Sequence, residues 1–149
     1  MHNAAFEAVG LDWTYELLDV SPAELAGAVE RLRASDVGGA NVTIPHKQAV
    51  IASLDVVDAD ALRAHAVNTI ARVGERLVGS NTDVAGVRAA ISEVGLEPKG
   101  ANIVILGGGG SARAVAVALA GAHLTFVSRH PQDDQLPGAV IGWSDPALP

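Results

Sequence analysis

The glycine-rich segment at 102–122, "NIVILGGGGSARAVAVALAGA", constrains the fold more than any other part of the chain. The apolar run 102–106 is typical of a parallel strand that is covered on both faces. Glycines follow this run directly, a helical pattern follows the glycines, and "HLTFVSR" (123–129) has the character of a second strand. The order strand, glycine turn, helix, strand predicts a βαβ unit, from which doubly wound α/β sheets are built.

The small residues of the turn have separate physical roles. Gly107, Gly109 and Ala112 form the spacing G-x-G-x-x-A. The first glycine allows a tight turn, the second lets the backbone approach a pyrophosphate, and the alanine lets the helix pack close to the strand. The helix N-terminus offers unpaired N–H groups and a partial positive charge to phosphate. A flexible loop is the alternative, but the strand and helix on either side favour a dinucleotide site.

The end of the second strand indicates which dinucleotide is bound. An NAD site places Asp or Glu at this point to bond the ribose 2′-hydroxyl. This chain instead has Ser128, Arg129 and His130. An arginine suits a 2′-phosphate because its planar guanidinium makes charge-assisted hydrogen bonds. The residues therefore favour NADP, and the alternative is that Arg129 is a solvated surface side chain.

Strands and helices alternate through the rest of the chain, so we expect an α/β fold in two units, 1–97 and 101–149. The linker "GLEPKGA" (95–101) separates them. The second unit has fewer strands than a doubly wound sheet needs, so we expect an incomplete Rossmann-like domain. The patterns further predict helices over 2–9, 22–34, 47–54, 58–65 and 84–94, and strands over 13–20, 38–44, 66–73, 76–82 and 139–143.

Composition excludes several classes of function. Hydrophobic residues make up 49% of the 149 residues and charged residues 18%, as in a globular protein. A net charge of -7 without a Lys/Arg run argues against nucleic acid or an acidic membrane as a partner. The absence of cysteine excludes a thiol nucleophile, and the five histidines lack ligand spacing, so we expect no metal. Without a signal or membrane-spanning pattern, we expect a cytoplasmic protein; its oligomeric state is not indicated.

The stretch "NVTIPHK" (41–47) brings a lysine to the end of a predicted strand. Pro45 stops the strand, and Lys47 follows where the chain turns outward. Hydride transfer by a nicotinamide cofactor also requires a side chain that gives or takes a proton. Lys47 can do so near neutrality only if burial or neighbours lower its ordinary pKa of about 10.4, or if it works as a paired cation. The alternative is a solvated lysine in the first turn of a helix.

Asp83, in "GSNTD", is the natural partner for that lysine because it too follows a strand and precedes a helix. Its alternative role is to cap the helix, although Thr82 could cap instead and leave the carboxylate of Asp83 available. Asn41, Thr43 and Asn68 also lie at strand or loop positions. Their side chains could bind a hydroxylated substrate, or they could simply form turns.

Four motifs together resemble the shikimate dehydrogenase family. They are "GANVTIPHK", "AVNTI", "GSNTD" followed by Gly86, and "LGGGGSARA", and they occur in this order at suitable separations over nearly the whole chain. The resemblance implies reversible, NADPH-dependent reduction of 3-dehydroshikimate to shikimate in aromatic amino-acid biosynthesis. It also implies that 1–97 is the substrate-binding catalytic domain without its first strand, and that 101–149 is part of the Rossmann NADP-binding domain.

The resemblance further implies a role for each matching residue. Lys47 and Asp83 would be the catalytic pair: the lysine handles the proton of a substrate hydroxyl, and the aspartate orients it and binds substrate. Asn41, Thr43 and Asn68 would bind the hydroxyl and carboxylate groups of the substrate. The residues implied for cofactor binding are Gly107, Gly108, Gly109, Gly110, Ser111, Ala112 and Arg113 at the pyrophosphate, and Ser128, Arg129 and His130 at the 2′-phosphate.

The chain also departs from the family pattern. Family members are longer at both ends and carry a Ser-x-Ser segment that grips the substrate carboxylate, so we expect this chain to be a fragment or a truncated relative. A second arginine of the family falls at Asp133, which weakens the expected grip on the 2′-phosphate. Two alternatives remain open: a quinate/shikimate dehydrogenase, and a non-catalytic remnant that only binds nucleotide.

Overall fold

The computed structural model describes residues 1–129, 131 and 136–146, and these residues form two β-sheets with helices packed against them. The strands are β1 (Gly39–Asn41), β2 (Val56–Val57), β3 (Thr69–Val73), β4 (Arg76–Ser80), β5 (Asn102–Leu106), β6 (His123–Ser128) and β7 (Ala139–Gly142). The α-helices are α1 (His2–Ala8), α2 (Leu25–Arg31), α3 (Ala59–Ala64), α4 (Thr82–Glu93) and α5 (Gly110–Ala118). Short 3-10 turns cover Pro22–Glu24 and Ala49–Ser53. The predicted α/β class is confirmed.

The first sheet is built around a β-hairpin. Strands β3 and β4 are antiparallel and joined at Gly74, which has the positive φ of 63° that favours glycine. β1 adds to β3 antiparallel, and the two-residue strand β2 adds to β4 parallel, giving the order β1-β3-β4-β2. The hairpin was predicted from its two alternating runs and is confirmed. β2 was not predicted, because two residues are too few to show a pattern.

The second sheet is fully parallel, in the order β5-β6-β7. β5 has the predicted bounds, and α5 forms the crossover to β6 as the glycine turn indicated. The expectation that both faces of this strand are covered is wrong within the described residues. Val104 is 43% exposed and Leu106 67% exposed, whereas the intervening Ile105 is 8% exposed, because the helices pack against one face.

The predicted strand at 13–20 is the clearest error in the N-terminal region. No strand forms there; instead Asn3 holds the backbone of Tyr15, accepting from its N–H at 2.6 Å and donating to its carbonyl at 3.1 Å. This amide takes the place of a neighbouring strand, so the segment stays irregular, with Trp13 60% exposed. Several other elements are shorter than predicted. β1 ends at Asn41 rather than Ile44, the helix over 47–54 is only the 3-10 turn Ala49–Ser53, and β3 begins at Thr69 rather than at residue 66.

Two of the buried clusters matter most for the site. The core of the first sheet includes Val50, Val67 and Leu77, each with no exposed surface. A second cluster, which we call the alanine seam, lies where α3 and α4 pack against α5. Its buried members are Ala64, Ala66, Val84 and Ala114. The seam brings the glycine turn of the second sheet close to the first sheet. Among the described helices, none is long and apolar enough to cross a membrane.

Replacing Leu77 with alanine should destabilise the protein by about 2–5 kcal/mol, because it leaves a cavity in the core of the first sheet. The free energy of unfolding in urea measures this change. Leu17→Ala is the matched control, since Leu17 is 93% exposed and its truncation should change the free energy by less than about 0.5 kcal/mol. Equal losses in the two variants would contradict the assignment of the core.

Asp55 connects the turn after helix α2 to strand β4 through its carboxylate. It accepts hydrogen bonds from Arg33 Nη1 at 2.7 Å and Nη2 at 3.1 Å, and from the backbone N–H of Leu77 at 2.7 Å. The hydrogen bonds from the Arg33 guanidinium hold the pKa of the Asp55 carboxyl below its usual range, and the N–H of Leu77 lowers that pKa further. The folded state therefore favours the ionised form.

This lowered pKa predicts a pH dependence of stability. The contribution of Asp55 is fully present above the ordinary aspartate pKa of about 4 and is lost as pH falls through the lower folded value. Urea unfolding between pH 7 and pH 2 should show a steeper loss of stability in the parent chain than in Asp55→Asn below about pH 4. Asp12→Asn, at an exposed position, should follow the parent curve. A parent curve parallel to that of Asp55→Asn would exclude this role for Asp55.

Candidate active site

Lys47 and Asp83 form an ion pair between two distant parts of the chain. Lys47 Nζ donates to Asp83 Oδ2 at 2.7 Å. The side chain of Lys47 is 15% exposed and that of Asp83 is 35% exposed, so the pair is partly withdrawn from water. Lys47 lies in the turn after β1, and its carbonyl accepts from the N–H of Val67 at 2.7 Å. The lysine backbone is therefore anchored to the segment that leads into β3.

Asp83 lies in the first turn of α4 without capping the helix. The cap is Asn81, whose Oδ1 accepts from the N–H of Asp83 at 3.1 Å. Asn81 is only 4% exposed and also donates from Nδ2 to the carbonyl of Ala66 at 2.8 Å. The alternative role of Asp83 as the helix cap is therefore excluded, and Thr82 is not the cap either. Because Asn81 caps the helix, both carboxylate oxygens of Asp83 are available to other donors.

Asn68 occupies the second oxygen of that carboxylate. Its Nδ2 donates to Asp83 Oδ1 at 2.8 Å, and its Oδ1 accepts from the N–H of Thr82 at 3.0 Å. The hydroxyl of Thr69 donates to the same Oδ1 at 2.9 Å. Asn68 is 8% exposed, so these bonds form largely out of water. Asp83 is thus fixed from two sides, by Lys47 at one oxygen and by Asn68 at the other.

Asn41 extends this network toward the outer edge of the site. It pairs with Thr69 across β1 and β3, and its Nδ2 lies 3.4 Å from the Thr69 hydroxyl oxygen. The hydroxyl of Tyr15 donates to Asn41 Oδ1 at 3.1 Å. Sequence reasoning did not find Tyr15, because no local pattern links it to a residue 26 positions away. Thr43 lies two residues beyond Asn41 and is exposed.

The glycine turn presents an open backbone surface. Gly107 has a φ of 112°, and its N–H donates to the carbonyl of Val127 at 2.9 Å. A Cβ added at Gly107 or Gly109 would meet no atom within 4 Å, so a ligand can approach the backbone there. Helix α5 starts at the next residue, Gly110, with its N-terminus toward this opening. A pyrophosphate group fits the turn for these reasons.

The other residues predicted around the cofactor fall into three groups. Ser111 is exposed near the start of α5, whereas Ala112 and Arg113 are each 9% exposed and belong to the buried side of the helix. Ser128 ends β6 close to the turn: a Cβ at Gly108 would lie 3.6 Å from its hydroxyl oxygen. Arg129 follows directly. His130 and Asp133 lie outside the described residues.

A cleft opens beside Ser128 and Arg129 at the carboxyl ends of β6 and β7. Its walls are Ser128, Arg129, Pro131, Gly142, Trp143, Ser144 and Asp145. Trp143 is 52% exposed there, and sequence reasoning did not identify it as a site residue. Its position directly after β7 was a signal in the sequence, since ligands of open α/β sheets bind beyond the carboxyl ends of the strands.

The protein is an α/β protein with two sheets. Its Lys47–Asp83 pair lies beside a glycine turn that joins a parallel strand to a helix, as in dinucleotide-binding folds. The family model for the shikimate dehydrogenase substrate binding domain matches residues 1–70. The shikimate dehydrogenase (NADP(+)) of Moorella thermoacetica is 48% identical over 99% of this chain and 51% of its own length. The chain belongs to the shikimate dehydrogenase family.

Solved structures with similar folds include a shikimate dehydrogenase and a second reductase. Shikimate 5-dehydrogenase from Thermus thermophilus, in complex with NADP(H) and shikimate, is 37% identical with a TM-score of 0.78, over 94% of this chain and 56% of that one. The 5-ketofructose reductase of a Gluconobacter species is 36% identical with a TM-score of 0.75, over 94% and 55%. The chain spans about half the length of the curated relatives it matches.

Replacing Asn81 with alanine should destabilise the protein by about 2–4 kcal/mol, because it removes a helix cap and leaves the carbonyl of Ala66 without its donor. Asp58→Ala is the comparison, since Asp58 caps α3 by accepting from the N–H of Ala61 and should cost only about 1 kcal/mol. Urea unfolding measures both values. A loss at Asn81 no greater than that at Asp58 would show that its buried amide contributes nothing beyond the cap.

Proposed function

We propose that this chain carries the substrate-binding and proton-transfer part of an NADP-dependent shikimate dehydrogenase, which reversibly reduces 3-dehydroshikimate to shikimate. The observation that carries the proposal is the partly buried Lys47–Asp83 ion pair, held by Asn68 and placed next to the glycine turn. Residues 1–97 would form the substrate-binding catalytic domain and 101–149 part of the Rossmann NADP-binding domain. The similarity to dehydrogenases of this name, at up to half identity, supports it.

In the reducing direction, Lys47 is the proton donor. Its Nζ–H gives a proton to the carbonyl oxygen as that oxygen becomes a hydroxyl, and in the oxidising direction the neutral amine takes the proton back. Asp83 stabilises the ammonium form through Oδ2 and keeps Nζ in one position. Because Lys47 keeps 15% of its side-chain surface exposed, the amine can regain a proton from water after each turnover.

The substrate would lie between the Lys–Asp pair and the end of β1. Asn41 and Thr43 are exposed there and offer an amide and a hydroxyl to the substrate's polar groups. Asn68 and Asp83 lie side by side, joined by a hydrogen bond at 2.8 Å, and would together bind one hydroxyl of the substrate. Such a set of donors and acceptors suits a small polyhydroxylated acid.

NADPH would supply the hydride when bound. The backbone of Gly107, Gly108, Gly109, Gly110 and Ser111 would face its pyrophosphate, and the turn leaves room for a ligand at Gly107 and Gly109. Arg129 and Ser128 would lie at the 2′-phosphate, beside the cleft at the ends of β6 and β7. His130, and the buried Ala112 and Arg113, complete the proposed cofactor residues. A cytoplasmic location fits such a biosynthetic role.

Two alternatives share the same site. A quinate/shikimate dehydrogenase differs in the hydroxyl groups it accepts, and the similarity to a 5-ketofructose reductase favours testing other hydroxylated substrates. A remnant that only binds nucleotide would keep the glycine turn without turnover. The intact Lys47–Asp83–Asn68 network favours the enzyme, because it holds a lysine amine in one position beside the glycine turn.

The test joins this chain to the part of the Moorella relative that it does not span, and measures NADP-dependent oxidation of shikimate. We expect activity in this chimera, and a fall of about 10²–10⁴-fold in kcat on Lys47→Ala, which removes the acid/base. Lys99→Ala is the matched control, because Lys99 is exposed in the linker and should leave kcat unchanged.

Each outcome separates the candidates. Faster turnover of quinate than of shikimate would support the first alternative. Binding of NADP without turnover of any hydroxylated acid would support the remnant. Equal loss of kcat in the Lys47→Ala and Lys99→Ala variants would remove Lys47 from the mechanism, and equal use of NAD and NADP would remove Arg129 from 2′-phosphate recognition.

A further inference from the structure

The glycine turn and the Lys47–Asp83 pair come into contact at Gly110. A Cβ added at Gly110 would lie 3.2 Å from Lys47 Cδ and 3.7 Å from both Lys47 Cβ and Ala66 Cβ. The first distance is closer than an ordinary van der Waals contact between carbon atoms. We propose that Gly110 is a positioning residue for Lys47: its missing side chain lets the lysine stem lie along the start of α5, with Nζ on Asp83.

Backbone conformation does not explain the glycine at this position. Gly107 needs to be glycine because its φ is 112°. Gly110, by contrast, is the first residue of α5 and has no positive φ. Alanine favours a helix more than glycine does, so local propensity would select alanine. The close approach of Lys47 and Ala66 is the reason that the structure gives for a missing side chain at this position.

Lys47 has little freedom to move away from an added methyl group. Its carbonyl is bonded to the N–H of Val67, and its Nζ is bonded to Asp83, each at 2.7 Å. Asn68 holds the other oxygen of Asp83, and the Cβ of the fully buried Ala66 also lies 3.7 Å from the added methyl. A methyl at Gly110 would therefore push the lysine stem by a few tenths of an ångström and move Nζ relative to the carboxylate.

The catalytic meaning of a positioning role for Gly110 rests on the proposed function. The turn that would hold the pyrophosphate also forms a wall of the lysine site. Gly107 and Gly109 leave space for a ligand, whereas Gly110 leaves space for a side chain of the other sheet. One short segment would then set both the cofactor position and the proton donor.

The composition of the chain allows a direct test. Lys47 and Lys99 are its only lysines. Incorporating lysine labelled with ¹³C at Cε and ¹⁵N at Nζ gives two side-chain NMR signals, which Lys99→Arg assigns. In the Gly110→Ala chain without ligand, we expect the Lys47 signal to shift toward that of the exposed Lys99, while the Lys99 signal stays in place.

Two further variants make the result specific. Gly27→Ala in α2, where an added Cβ meets nothing within 4 Å, should leave both lysine signals unchanged. Gly110→Ala combined with Ala66→Gly removes the methyl group 3.7 Å from the added one and should move the Lys47 signal back toward its original position. An unchanged Lys47 signal in folded Gly110→Ala would overturn the proposal.

Stability supplies an independent measurement if Gly110→Ala alone fails to fold. In the Lys47→Ala background the lysine stem is gone, so Gly110→Ala should raise the urea midpoint through its better helix propensity. A midpoint lowered as much in that background as in the parent would show that the methyl clashes with something other than Lys47, and would overturn the proposal.

Activity then tests the catalytic meaning separately. In the chimera described above, Gly110→Ala should lower kcat while leaving KM for shikimate close to its original value, since Lys47 moves but Asn41, Thr43 and Asn68 do not. A shifted NMR signal without activity in any chimera would leave Gly110 as the positioning residue and reject the proposed function. A shifted signal with unchanged kcat would confine its role to structure and reject the catalytic meaning.

Discussion

The ion pair between Lys47 and Asp83 is the interaction on which the rest of the site depends. The two residues are 36 positions apart, and each is delivered by a different element: the turn after β1 and the first turn of α4. A partly buried charge is costly unless a partner of opposite sign and further hydrogen bonds satisfy it. Here one carboxylate oxygen meets the ammonium and the other meets an amide of Asn68.

The pair also explains why so many polar side chains lie behind it. Asn81 caps α4 so that Asp83 does not have to, and its own amide is satisfied by the carbonyl of Ala66. Thr82 and Thr69 satisfy the carbonyl oxygen of Asn68. These hydrogen bonds fix the position of the Asp83 carboxylate, and the two asparagine side chains that make them are buried. The chemistry of one lysine therefore rests on a supporting shell in which each buried amide has its partners.

The parts of this architecture that are written locally could be predicted from the sequence. The strand over 102–106 and the β3–β4 hairpin follow from short patterns within a dozen residues, and both formed as expected. The segment 13–20 has the same composition as a strand, but a strand also needs a neighbour, and Asn3 supplied only one pair of hydrogen bonds. Whether a strand forms therefore depends on what lies beside it, which residue composition does not show.

The candidate site divides in the same way. Their positions after strands made Lys47 and Asp83 candidates, and the family resemblance implied that they form a pair. The structure places them in contact. The identity of the helix cap could not be found, because Asn81, Thr82 and Asp83 are all good capping residues and only the backbone geometry selects among them. Tyr15 was invisible for another reason: its bond to Asn41 depends on how α1 folds the N-terminal segment over the sheet.

The alanine seam between α3, α4 and α5 has a mechanical meaning. Larger side chains interlock as ridges in grooves and hold two helices in one register. The methyl groups of Ala64, Ala66 and Ala114 form a nearly smooth surface, with Val84 as the one larger member. Helices packed through such a surface stay in contact but are not interlocked against small sliding displacements. Sliding of packed helices is the shear type of conformational change. The seam therefore has the composition expected where two packed units slide past each other in small steps, and each sheet has a core of its own on either side of it.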